Sequence, residues 1–211
     1  MTQPYTPDEV RQALTLINFD AWAAQMKMAP LGADRRPPQN LKQVRIGAVL
    51  LLLYRHAREL HLVLTRRRDD LPAHAGQISF PGGRQEETET LLEAALRETA
   101  EEIGVPETAV DPLGQLTPIY IPPSGFMVHP FVGWYKPAKR PTFLPAINEV
   151  AEIIEVPLLH LLDPAIITEE PWDFRGHQII VPYFALNGHK VWGATAIMLS
   201  EFIERLRRIR D

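Results

Sequence analysis

The chain has no cysteine. Disulfides, thiolate nucleophiles and zinc–cysteine sites are therefore excluded, and a reducing cytoplasm is the expected compartment. Long apolar runs are missing too. The longest, Ala48 to Tyr54, falls far short of the roughly 20 residues a membrane helix needs. No membrane partner is expected, and the run suits a buried strand. The opening MTQPYTPDEV has no basic stretch followed by an apolar one, so a secretory signal is not expected. A basic surplus is absent: 22 Lys and Arg stand against 26 Asp and Glu, a net charge of -4. That argues against a nucleic acid polymer as partner, because such binding rests on neutralising phosphates. A small anionic substrate stays open, since local charge can differ from the total. Familiar catalytic spacings are lacking as well. The seven histidines form no HExxH and Gly82-Gly83 is not followed by Gly-Lys-Ser/Thr. Ser79, Ser124 and Ser200 lie outside any nucleophile elbow.

What is present reads as an ordinary globular chain, long enough at 211 residues for one sizeable core. Thr6-Pro7-Asp8-Glu9 is a helix start: Thr6 can cap, Pro7 suits the first turn, and Glu9 completes a capping box. The pattern predicts one helix to about Lys27. Ala29 to Asn40, with Pro30, Pro37 and Pro38 beside Arg35 and Arg36, reads as an extended connector. Val44 to Tyr54 and Leu60 to Arg66 read as strands joined by a polar turn near His56 to Glu59. Thr90 to Ile103 reads as a helix stopped by Gly104 and Pro106. Leu113 to Ile121, Met127 to Tyr135, Val150 to Val156 and Gln178 to Phe184 read as further strands, and Ala194 to Arg208 as an amphipathic helix. This order predicts an α/β fold with helices on both faces of a mixed sheet. Residues 1–40 would form an N-terminal helical arm and Pro-rich connector, and residues 41–211 the main domain.

The chemistry concentrates between Gly83 and Val105. On a helix, Leu92, Ala95, Leu96, Thr99 and Ile103 share a stripe that can pack on a sheet. Glu98, Glu101 and Glu102 stand at i, i+3 and i+4 on another face, centred roughly 125° away. Three glutamates on a helix usually form a solvated acidic face. Here the like charges repel at these spacings, and the helix follows Pro81-Gly82-Gly83, whose backbone can approach a ligand closely. Oxygen ligands gathered in this way suit magnesium. Diphosphate hydrolysis uses such ions to neutralise phosphoryl oxygens and activate water.

The run from Gly83 through Glu89 to Arg97-Glu98-Thr99-Ala100-Glu101-Glu102-Ile103-Gly104 resembles the Nudix box. Every fixed polar and glycine position is present, while Thr99 stands where a bulkier aliphatic residue is commoner. The resemblance implies a Nudix-type α/β/α sandwich and a Mg2+ or Mn2+ cofactor. It implies metal ligands at the Gly82 carbonyl, Glu98, Glu101 and Glu102, with Arg97 and Glu89 bracing the loop and helix. A further glutamate from a later loop would act as base or extra ligand. Glu149 is the first candidate, and Glu152 the second.

A narrower resemblance covers the flanks. Leu64-Thr65-Arg66-Arg67, Leu71 and His74 to Gly83 look like the upstream signature of coenzyme A diphosphatases. Pro123-Ser124-Gly125-Phe126 and Val191 to Ala196 also look like that branch. It implies hydrolysis of coenzyme A or an acyl-CoA to 3',5'-ADP and (acyl-)4'-phosphopantetheine. Arg66, Arg67 and Phe126 would contact substrate, and a homodimer is allowed. Arg68 stands where the branch has a small residue, and Pro72 where it has arginine. Two other readings stay open: hydrolysis of another nucleoside diphosphate derivative such as ADP-ribose, or a non-catalytic binding module. The intact carboxylate set speaks against the last.

Overall fold

The computed structural model describes residues 4–30, 37–38, 44–72, 74–174 and 176–210. The chain begins with α1 (Pro7–Leu14) and α2 (Ala21–Met26), then β1 (Arg45–His56), β2 (Glu59–Arg67), β3 (Ile78–Ser79) and β4 (Gly82–Arg84). Helix α3 (Leu91–Ile103) precedes β5 (Val110–Gln115), β6 (Ile119–Ile121), β7 (Phe126–Tyr135) and β8 (Val150–Pro157). The short α4 (Leu158–Leu161), β9 (Ile167–Phe174), β10 (His177–Leu186), β11 (His189–Trp192) and α5 (Gly193–Arg208) complete it.

β1 is the central strand. It pairs antiparallel with β2 and β4 and parallel with β7, so the sheet is mixed. Successive side chains on a strand point to opposite faces. Ala48, Leu50, Leu52 and Tyr54 join Ala94, Ala95 and Ile103 of α3 in one core. Leu51 and Leu53 share the other core with Ile197, Phe202 and Leu206 of α5. The run is apolar at every position because both faces of the strand are covered. The result is the expected sandwich: α3 on one face, α5 with the N-terminal helices on the other. Strands β9, β10 and β11 form a second, antiparallel sheet. Among the described residues no helix is long and apolar enough to cross a membrane.

The single helix expected to reach Lys27 is two helices. The Thr15 hydroxyl donates back to the Arg11 and Gln12 carbonyls. Asn18 is left-handed at φ 63°, and Asp20 caps a new helix by accepting from the Ala23 amide at 2.9 Å. Both helices pack into the main body: Tyr5, Val10, Ala13 and Met28 are buried in the α5 core. The fully buried Glu201 accepts from Gln25 Nε2 at 2.7 Å, Thr117 Oγ1 at 3.0 Å and Arg205 Nε at 2.9 Å. Most of the connector, residues 31–36 and 39–40, lies outside the described residues, as do residues 41–43 at the start of the main domain. The strand expected over Leu113 to Ile121 is interrupted between β5 and β6. Strands β9 and β11 were not expected from the pattern; β9 carries Thr168, Glu169, Glu170 and Pro171 in a row, and β11 has only four residues.

Candidate active site

Helix α3 is held at both ends. Thr90 caps it in a full capping box with Glu93, and Gly104 ends it at φ 74°, a conformation glycine adopts without steric cost. Ala95, Thr99 and Ile103 are buried on the sheet. Ala94 takes the core position expected for Leu92, which stays partly exposed. The unusual Thr99 is accommodated because its hydroxyl donates to the Ala95 carbonyl at 2.7 Å.

The glycine turn comes against this helix through β4, which pairs Gly82 with Val49 and Gly83 with Ala48. Gly82 has φ 152°, and a Cβ there would lie 2.3 Å from the Ala48 carbonyl oxygen. A Cβ on Gly83 would meet Glu98 Oε1 at 2.3 Å and Oε2 at 2.6 Å. The two glycines therefore do different things: Gly82 lets β4 pair with β1, and Gly83 makes room for the Glu98 carboxylate.

Glu102 is the most buried of the three glutamates, and its Oε2 has no hydrogen-bond partner among the described residues. Burial pushes its carboxyl up to about 8, with the charges of Glu98 and Glu149 adding to the effect; Arg67 and the Gly82 backbone act the other way. Glu98 is raised too, first by burial, with Arg97 opposing and Glu101 and Glu149 contributing. Arg97 donates from Nε and Nη2 to Glu89 at 3.0 and 2.8 Å. Its Nη1 reaches Glu98 Oε1 at 3.0 Å and Glu101 Oε2 at 3.1 Å. Glu89 consequently lies below the usual carboxylate range, chiefly through the Arg97 hydrogen bonds. Among the described residues no three carboxylates or imidazoles are gathered closely enough to cage an ion; Glu98 and Glu101 are instead turned to Arg97.

The expected later carboxylates separate cleanly. Glu149 acts electrostatically on Glu98 and Glu102 and pairs with Arg67 Nη1 at 3.5 Å. Glu152 points elsewhere, to Arg66 Nε at 3.4 Å and His189 Nε2 at 3.2 Å. The three arginines also diverge. Arg66 is held by Asp69 at 3.0 Å, and Arg68 by Asp70 at 2.6 Å and the Ile147 carbonyl at 3.0 Å. Only Arg67 faces the carboxylate cluster. Phe126 starts β7 beside the glycine turn: a Cβ on Gly47 would sit 2.7 Å from the Gly83 oxygen and 3.3 Å from the Phe126 ring. Arg45, which carries no motif signal, lies over that ring at 4.5 Å.

The NUDIX domain model matches residues 44–178. A protein of Pectobacterium atrosepticum described as an uncharacterized Nudix hydrolase NudL is 37% identical, over 78% of this chain and 85% of its own length. The protein of the same description from Photorhabdus laumondii is 34% identical, over 81% of this chain and 90% of its own. Among solved structures, the MutT protein of Methanosarcina mazei Go1 superposes with a TM-score of 0.51 at 20% identity, covering 85% of this chain and 99% of that one. The Nudix hydrolase RenU of M. smegmatis gives 0.52 at 17% identity, covering 79% and 85%. These two likenesses concern the fold.

Proposed function

The chain belongs to the Nudix family and is a hydrolase acting on diphosphate bonds of a nucleoside diphosphate derivative; from this we propose that its substrate is coenzyme A or an acyl-CoA. The single observation that carries the catalytic part is the buried, unpartnered Glu102 oxygen beside Glu98 and Glu149. Their charges repel one another, and their oxygens are the hard donors that divalent cations take once Glu98 and Glu101 turn from Arg97. Nudix hydrolases generally use such ions, and the donors here fit magnesium or manganese in chemistry. Glu98, Glu101, Glu102 and the Gly82 carbonyl would hold them.

When bound, the metal neutralises phosphoryl oxygens and lowers the pKa of water. The protein's own groups do the rest. Glu149 accepts the proton of the attacking water. Arg97 fixes Glu98 and Glu101 while itself anchored on Glu89. Arg67 supplies positive charge beside the cluster, and Phe126 offers an apolar surface next to the glycine turn. Water attacks one phosphorus and the bridging oxygen leaves, giving 3',5'-ADP and 4'-phosphopantetheine.

The coenzyme A reading is supported by the packing of the flanking stretches that look like that branch. Thr195 Oγ1 donates to the Ile78 carbonyl at 2.9 Å in a buried bond, so the upstream and C-terminal stretches meet beside the glycine turn. One observation favours the ADP-ribose alternative: Arg66 and Arg68 are already engaged by Asp69 and Asp70; Pro72, standing where the coenzyme A branch has arginine, adds no cation in their place. The test is initial-rate kinetics with magnesium on coenzyme A, dephospho-coenzyme A, ADP-ribose and NADH. The expected order places coenzyme A first in kcat/KM and dephospho-coenzyme A below it. Preference for ADP-ribose would overturn the substrate assignment and leave diphosphate hydrolysis standing.

A further inference from the structure

The connection from Lys136 to Glu149 contains neither helix nor strand, and loops of that length are uncommon in packed domains unless they serve a function. This one ends at Glu149, and it is fastened along its course. Its closing half is zipped to the end of α3: the Leu144 amide donates to the Ile103 carbonyl and the Ala146 amide to the Glu102 carbonyl, both at 2.9 Å. These bonds satisfy carbonyls that a helix terminus leaves open. They also tie the Glu149 turn to the backbone of Glu102 itself.

The opening half is fastened by side chains. Arg140 Nε donates to Glu155 Oε2 at 2.8 Å, and Arg140 Nη2 to Glu155 Oε1. The Tyr54 hydroxyl of β1 donates to the same Glu155 carboxylate on β8. Phe143 packs edge-on against Tyr54 with ring centres 5.7 Å apart, and Arg140 lies over Phe143 at 5.6 Å. Burial alone would raise the Glu155 carboxyl, yet the Arg140 and Tyr54 bonds hold it below the usual range. The ion pair is thus kept charged in a partly buried place. Such pairs add little net stability, and their best-attested use is to specify an arrangement.

We propose that Arg140, Glu155 and Tyr54 form a latch that sets Glu149 against Glu98 and Glu102, and so act as positioning residues for hydrolysis. The proposal rests on the assignment of Glu149 as the water-activating carboxylate. Their side-chain bonds run to one another and not to Glu98, Glu102 or Glu149 among the described residues; they work through the loop. Arg140 borders an open cleft of about 640 Å³ with His56, His61 and Asn187, so its replacement leaves the core intact.

A double-mutant cycle isolates the coupling. Arg140→Ala is made in the wild-type protein and in Glu149→Gln, and kcat, KM and Tm are measured in each. A misplacement of about 1 Å can cost up to about 10²-fold in rate. Arg140→Ala is expected to lower kcat by about 10-fold or more in the wild type, with KM little changed, and to have almost no further effect on kcat in Glu149→Gln. Arg140→Lys, which keeps the charge, is expected to recover part of the loss. Equal losses in both backgrounds, or no loss in the wild type, would overturn the latch while leaving Glu149 in place. If Glu149→Gln alone keeps full kcat, the Glu149 assignment falls and the latch falls with it.

Discussion

Arg97 grips Glu89 at two points, Nε to Oε2 at 3.0 Å and Nη2 to Oε1 at 2.8 Å. That leaves Nη1 free to span Glu98 and Glu101. A guanidinium has the fork for this and an ammonium does not. Arg97→Lys is therefore expected to lower kcat by at least about 10-fold through misplaced carboxylates, with an unchanged circular dichroism spectrum. Wild-type kcat in Arg97→Lys would show that charge alone suffices.

The two glycines give a contrasting pair. Gly82→Ala forces a Cβ against the Ala48 backbone at φ 152°, so it is expected to cost more than about 1 kcal/mol of stability. For Gly83→Ala the nearest atoms are those of the Glu98 carboxylate, the movable end of a side chain. This variant is expected to fold normally and lose turnover. Urea unfolding and kcat on both proteins check this; the reverse pattern would contradict the division of roles.

Glu102 makes the metal-free protein sensitive to pH. Its folded carboxyl is raised from 4.5 to about 8, so the folded chain holds a proton that the unfolded chain has released. Stability then declines as pH rises from about 4.5 to about 8, by an amount on the order of several kcal/mol at about 1.4 kcal/mol per pKa unit. Urea unfolding in chelator near pH 5 and near pH 8.5 should show the decline in wild type and not in Glu102→Gln. Excess magnesium, which binds the ionised form, should abolish it. Equal pH slopes in the two proteins would remove the assignment.

Much of this was legible in the residues. The capping box at Thr90, the stop at Gly104 and the i, i+3, i+4 glutamates are local patterns, and local patterns survive folding. The apolar run of β1 announced a strand covered on both faces. The break at Asn18 was missed because periodicity bridged it, although Asp20 is a readable cap. β9 and β11 were missed because polar residues and Pro171 hide the alternation. The Arg140–Glu155–Tyr54 cluster joins three elements distant in sequence, and no spacing rule brings them together. For the same reason sequence left Glu149 and Glu152 as alternatives; only packing sends the second to His189 and Arg66.

That separation is itself testable. General-base or water-positioning groups are worth about 10²–10⁴-fold in rate. Glu149→Gln is expected to lose turnover in that range with KM nearly unchanged, while Glu152→Gln keeps most of its kcat. The opposite result would move the role by three residues along the chain, from the turn into β8.

The most direct test of the cation site is the turnover of Glu102→Gln in saturating magnesium. Metal ions contribute several kcal/mol to stabilising the transition state, and about 1.4 kcal/mol corresponds to tenfold in rate. Glu102→Gln is expected to lose roughly 10³-fold in turnover with the fold intact. Wild-type turnover by Glu102→Gln under those conditions would contradict the cation site.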